Sequence, residues 1–166
     1  MEFSLRPWQQ DDVSNLVEAA NNQNIAVFMT NQFPHPYMEE DALKFIEMAS
    51  SRKPCSIFAI IVKGKAVGGI GLHPQSDLYC KNMELGYWLA EPFWGKGIVS
   101  EAVQQMVSYG FNNFDINRIF ARPFGNNIAS QKVLKKAGFK LEAFMEKAFF
   151  KNGEYLDEMI FAIRNN

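Results

Sequence analysis

Met83-Glu84-Leu85-Gly86-Tyr87-Trp88-Leu89-Ala90, then Trp94-Gly95-Lys96-Gly97-Ile98-Val99, then Ser100-Glu101-Ala102-Val103, is the stretch whose reading decides the fold. The first run is a strand, with Glu84, Gly86 and Trp88 sharing one face. The second is a tight loop, and the third opens a helix. The first amides of a helix have no intrahelical partner and sit at the positive end of its dipole, so glycines that let backbone approach turn such a loop into a phosphate cradle. The same residues also read as a helix-start loop with two incidental glycines.

Two nucleotide motifs of similar outline fail on residue identity. A P-loop needs Gly-Lys-Ser/Thr, and Lys96 is followed by Gly97. A dinucleotide fingerprint needs a third glycine where Ser100 stands, and it belongs in the first β-α turn of a parallel sheet.

Working outward, Phe3 and Leu5 form a short edge strand ending at Pro7, and Asp11-Asp12 start a helix carrying Val13, Leu16, Val17 and Ala20, which the asparagines at 21, 22 and 24 end. Phe33-Pro34-His35-Pro36-Tyr37 is a loop, because two closely spaced prolines exclude helix and central strand. A helix over 39–49 follows, then a hairpin of strands 56–62 and 67–72, then the strand 82–90. Beyond the glycine loop come a helix over 100–113, a strand over 118–124, a helix over 127–137 stopped by Gly138, and a hairpin of 140–151 and 155–163 turned by Asn152-Gly153. About seven strands and four helices on both faces of a mixed, mostly antiparallel sheet make an α/β (α+β) domain spanning 1–166.

Composition narrows the classes. The 166 residues are 48% hydrophobic with 15 Phe, enough for one packed core. A net charge of −1, 17 Lys+Arg against 18 Asp+Glu, provides no global field for nucleic acid. No apolar run reaches membrane-spanning length, and the N-terminus has no signal-peptide pattern. The two cysteines, Cys55 and Cys80, form neither a disulfide framework nor a zinc spacing, which points to a reducing, cytoplasmic protein. His35 and His73, isolated beside prolines, make no metal site.

The second motif separates the readings of the first. Asn127-Ile128-Ala129-Ser130 opens a helix that runs through Gln131-Lys132-Val133-Leu134-Lys135-Lys136 to Ala137-Gly138-Phe139. Here the chain resembles the GNAT superfamily of acyl-CoA-dependent N-acetyltransferases, whose second signature is Asn-x-x-Ser/Ala leading to Lys-x-Gly-Phe and whose first, Gln/Arg-x-x-Gly-x-Gly/Ala, falls on Trp94 to Val99. The order of elements matches along nearly the whole chain. The Tyr-Trp-Leu-x-x-x-x-Trp-Gly-Lys-Gly wording and the Leu-Arg-Pro-Trp start resemble the RimJ/RimL branch, which acetylates ribosomal-protein N-termini and related amines. Trp94 and Val99 depart from the general signature.

The resemblance implies a V-shaped splay between the fourth and fifth strands, which admits the pantetheine arm of acetyl-CoA as cosubstrate. Backbone near Trp88 and Leu89 would hold the arm, and the amides of Gly95, Lys96, Gly97, Ile98 and Val99 the pyrophosphate. Asn127 would bind the pantetheine and Lys132 an outer phosphate. It implies direct acetyl transfer to a primary amine, first a protein or peptide N-terminus, otherwise a polyamine, amino acid or aminoglycoside. A non-catalytic acyl-CoA-binding module is the rival class. The chain would act as a monomer or homodimer, with no metal.

Such a transfer needs a base for the amine and a proton donor for the departing thiolate. Glu84, on a buried strand, is the base candidate, acting through a water; its bland reading is a salt-bridged strand glutamate. Many family members carry an acidic tyrosine seven residues past the motif asparagine, where this chain has Leu134, so Ser130 becomes the donor candidate. Its bland reading is a helix-start cap. Glu142, Glu146, Glu154, Asp157 and Glu158 would attract a cationic acceptor or merely face solvent, and Phe28, Phe33, Tyr37 and Phe149 would wall its pocket or staple loops.

Overall fold

Seven strands hydrogen-bond into one sheet in the order β1-β2-β3-β4-β5-β7-β6, in a computed structural model describing residues 1–166. The strands are β1 (Ser4–Pro7), β2 (Ile57–Val62), β3 (Lys65–Pro74), β4 (Asn82–Leu89), β5 (Arg118–Ala121), β6 (Lys140–Lys151) and β7 (Glu154–Arg164). The helices are α1 (Val13–Ala20), α2 (Gln23–Ala26), α3 (Glu39–Ser50), α4 (Ile98–Asn113) and α5 (Ile128–Lys136). Neighbours are antiparallel except β4 and β5, which run parallel.

The period-2 pattern of the strands sends alternate side chains to two cores. Met83, Leu85 and Leu89 of β4 join Val103 and Met106 of α4, Leu134 of α5 and Phe161 of β7. On the other face Trp88 joins Leu16, Ile46 and Trp8 under α1 and α3. Helices thus cover both faces, as the sequence predicts.

Three differences from that reading have local causes. The asparagine cluster does not only end α1: the Asn22 side chain accepts a hydrogen bond from the Asn24 amide at 2.8 Å and starts the one-turn α2, a fifth helix. The predicted strand 118–124 stops at Ala121, because Pro123 has no N–H to give the ladder, and only an isolated bridge between Phe124 and Glu158 follows. Helix α4 starts two residues early, with Gly97 as its cap at φ +79°.

The short β5 opens the sheet. Its register with β4 runs only from Asn82 opposite Arg118 to Glu84 opposite Phe120, while β4 continues to Leu89. Beyond Glu84 the two strands part, and the V-shaped gap expected between the fourth and fifth strands lies there.

Candidate active site

Strand phase decides which backbone groups face the gap. The Ala90 amide donates to the Val67 carbonyl at 2.8 Å and the Gln75 amide to the Asn82 carbonyl at 3.1 Å, so residues 82, 84, 86, 88 and 90 spend their peptide groups on β3. Trp88, opposite Gly69, is therefore not a gap-facing residue through its backbone, contrary to expectation; its neighbours Tyr87 and Leu89 are. The Trp88 side chain is buried on the α1/α3 face, with its ring centroid 5.7 Å from that of Phe33.

At the wide end, the Trp94 indole N–H donates to the Leu89 carbonyl at 2.7 Å. That bond staples the glycine loop to the end of β4 and leaves Leu89 only its amide to offer. Gly95 and Gly97 sit at φ +72° and +79°, a conformation that disfavours a side chain, and open space lies where a Cβ would stand. The amides of residues 95 to 100 donate to no acceptor within the chain, while that of Glu101 already reaches the Gly97 carbonyl. Ile98 is buried and Val99 packs half-buried against the core, so the departure at 99 puts no side chain into the loop mouth. Lys96 bonds the Pro92 carbonyl at 2.7 Å and lies 5.4 Å from the Phe93 ring centroid. This arrangement suits an anion: six unspent donors at the N-terminus of a 16-residue helix.

Helix α5 flanks the gap. Asn127 caps it, its Oδ1 accepting from the Ser130 amide at 3.1 Å, which leaves the Asn127 Nδ2 group as donor. Lys132 is exposed on the same helix. The Ser130 hydroxyl lies 2.6 Å from the Tyr87 hydroxyl. Sequence reasoning sought a tyrosine on α5, where Leu134 is fully buried, and missed that β4 provides one. The signal was present: Tyr87 shares a strand face with Leu85 and Leu89, which pack toward α4 and α5. Burial pushes the Tyr87 phenol up to about 12, with the Ser130 hydrogen bond opposing, so it stays protonated at neutral pH.

Glu84 stands where the strands part, on the opposite face from Ser130. Both its oxygens are engaged by Arg122, Nε to Oε1 at 2.9 Å and an Nη to Oε2 at 3.3 Å, so the residue is a paired strand glutamate. The partner comes from the residue just after β5 rather than from a helix. Arg122 also lies 3.6 Å from Oε1 of Glu158, a buried carboxylate of β7 on the same face. The guanidinium is held above its ordinary value chiefly by the bond to Glu84. Burial and nearby Arg52 hold the His73 imidazole, across the ladder from Glu84, below its usual value.

The α2 segment is tied to the chain just after β4 and to the β6–β7 hairpin. The Asn22 and Asn24 side chains hold the Glu91 carboxylate at 2.8 and 3.1 Å, and Lys151 at the tip of the β6–β7 hairpin donates to the carbonyls of Ala26, at 2.6 Å, and Met29. The Phe124 and Phe149 rings meet tilted, with 5.2 Å between centroids. Among the acidic residues predicted near the acceptor, Glu142 pairs with Arg118 and Arg164, and Asp157 accepts from the Lys147 amide at 2.9 Å, so both have structural partners. Cys55 and Cys80 lie in loops before β2 and β4.

Comparison with known proteins agrees with this geometry. Residues 2–140 match the acetyltransferase (GNAT) domain. An uncharacterized N-acetyltransferase p20 of Bacillus licheniformis is 28% identical over 164 residues, 97% of this chain and 92% of that protein. The ribosomal-protein-serine acetyltransferase of Escherichia coli is 30% identical over 127 residues, 75% of this chain and 70% of its own. The microcin C7 self immunity acetyltransferase MccE, solved with acetyl-CoA and AMP, superposes with a TM-score of 0.83 at 26% identity over 99% of this chain and 93% of its own. With the split sheet, the donor-rich glycine loop and the capped α5 in place, the chain belongs to the GNAT acetyltransferase family and is an acyltransferase that takes its acetyl group from acetyl-CoA.

Proposed function

We propose that the chain acetylates the N-terminal amine of a protein or peptide by direct transfer. The observation that carries direct transfer is the placement of Glu84 and Ser130 on opposite faces of the gap where β4 and β5 part. When bound, acetyl-CoA supplies the activated acetyl group as a thioester. Gly95 to Val99 hold its phosphates through backbone amides, and Asn127 Nδ2 and Lys132 add contacts along α5. From Leu89 to Glu84 is five residues of strand, about 17 Å, a span suited to an extended pantetheine arm. The amides of Tyr87 and Leu89 face the gap as donors for a carbonyl oxygen carried there.

Glu84 receives the proton of the amine, through a water where contact is not direct. Ser130 Oγ gives a proton to the departing sulfur and is itself held by Tyr87. No cysteine lies on the gap-facing elements, which favours transfer without a covalent acyl-enzyme. The peptide reading draws on the Escherichia coli relative, named for acetylating a ribosomal-protein serine. A small amine is the second reading, favoured by the closed wall that Lys151 makes with Ala26 and Met29.

The test is release of coenzyme thiol from acetyl-CoA with peptides carrying a free N-terminal serine or alanine, the same peptides acetylated, and small amines. Release with free peptides alone supports the proposal, and release with small amines alone selects the second reading. Coenzyme binding without release from any acceptor would make the chain a binding module.

A further inference from the structure

Arg122 has two carboxylates and one guanidinium to share between them. Both oxygens of Glu84 are taken, while Glu158 lies at 3.6 Å and accepts no hydrogen bond from any side chain, although only 8% of that residue is exposed. Glu158 pairs with the Nη1 that Glu84 leaves unused, at ion-pair distance but beyond hydrogen-bond range, so the guanidinium sits between two carboxylates with its close contacts on one of them. Arg122 itself is 42% exposed at its side chain, less confined than the ion pair of Arg118 with Glu142, where both side chains are three-quarters buried or more.

We infer that Arg122 is a two-position positioning residue: it holds Glu84 out of reaction until the acceptor's ammonium displaces it, and it then moves onto Glu158. The inference rests on the reading of Glu84 as the base. The exchange conserves pairs, because the ammonium takes Glu84 as the guanidinium takes Glu158. Its consequence is selectivity for an acceptor that arrives as an ammonium and becomes the neutral nucleophile by giving a proton to Glu84. With both Glu84 oxygens bonded to a guanidinium, the carboxylate is a weaker base toward a water in the gap, and the side reaction is slowed. In that side reaction a water oxygen bonds the acetyl carbon, the carbon–sulfur bond breaks, Glu84 takes the water proton, and the sulfur leaves to be protonated by Ser130.

The decisive readout needs no acceptor. Arg122→Met leaves Glu84 free, so thiol release from acetyl-CoA in the absence of amine rises about tenfold, the order that one displaced charge-assisted hydrogen bond confers. Arg122→Lys, which keeps the charge without the fork, gives a smaller rise and serves if the Met variant does not fold. Adding Glu84→Gln to either returns release to the parent level. Glu158→Gln removes the second position, so KM for an amine peptide rises more than kcat falls.

Amine-independent release no faster in both Arg122 variants than in the parent, with acetyl-CoA affinity unchanged by calorimetry, overturns the inference. Loss of acetyl-CoA binding in the parent would instead overturn the function proposed above. A faster release in the variants stands as support even if the parent turns over no peptide tested.

Discussion

Replacing Tyr87 by Phe tests the proton path at the sulfur side of the gap. The ring stays in place and no cavity forms, so the change removes one hydroxyl, 2.6 Å from Ser130 Oγ. A neutral hydrogen bond contributes about 1 kcal/mol to stability, which for a domain of this size lowers Tm by about 2–4 °C. On the reaction the effect is larger in proportion. Ser130→Ala deletes the donor and is expected to lower the chemical rate about a hundredfold, the lower end of what general acids contribute. Tyr87→Phe leaves the donor but loosens it, and a loss of about 1.4 kcal/mol is tenfold. Because both hydroxyls serve one proton transfer, the double variant should be no slower than Ser130→Ala alone. Single-turnover thiol release at saturating acetyl-CoA and amine isolates the chemical step. A Ser130→Ala rate within twofold of the parent, or a double variant whose loss is the product of the two single losses, refutes the relay.

Other consequences concern stability and pH. A Cβ at position 68 would stand 2.6 Å from the Trp88 carbonyl oxygen, so Gly68→Ala forces β3 from β4 and is expected to cost about 2 kcal/mol, read as a Tm drop of about 4–8 °C; an unchanged melt would contradict the packing described. Asp12, 3% exposed, accepts both nitrogens of Arg6 at 2.7 Å and the Gln9 amide at 2.9 Å, so Asp12→Asn should lose about 3 kcal/mol in urea titrations. Arg6 holds the Asp12 carboxyl below its ordinary value, so this stabilisation is complete above the unfolded value of about 4 and disappears as pH falls through the folded one; the variant should lack that acid limb. Tyr37 and Tyr87 are both pushed up to about 12, chiefly by burial, so stability is full below pH ~10 and falls as pH rises toward 12, by about 2–3 kcal/mol per tyrosine. Tyr87→Phe should remove about half of that alkaline loss.

What could be read along the chain was whatever depends on neighbours within a turn or a hairpin. The alternation in 82–90, the positive-φ glycines after it, the Asn127 cap and the Asn152-Gly153 turn are local, and each fell where the residues placed it. So the glycine loop and its helix were legible, and with the second motif the family was too. The gap itself was implied only by resemblance; its cause is the early end of β5 before Pro123, visible once β7 and β4 are seen on either side.

The chemistry at the gap depends on strand phase and on contacts across the sheet. Phase turns the peptide groups of Tyr87 and Leu89, and not those of Trp88, toward the gap, because a strand's peptide groups point alternately to its two neighbours and no residue type announces which neighbour comes first. Distance along the chain hid the partners: Tyr87 meets Ser130 across 43 residues, and Glu84 meets Arg122 across 38. Sequence singled out Glu84 and Ser130 as candidates; the fold supplied the groups that hold them, since a hydrogen bond between residues so far apart along the chain exists only after the sheet has closed.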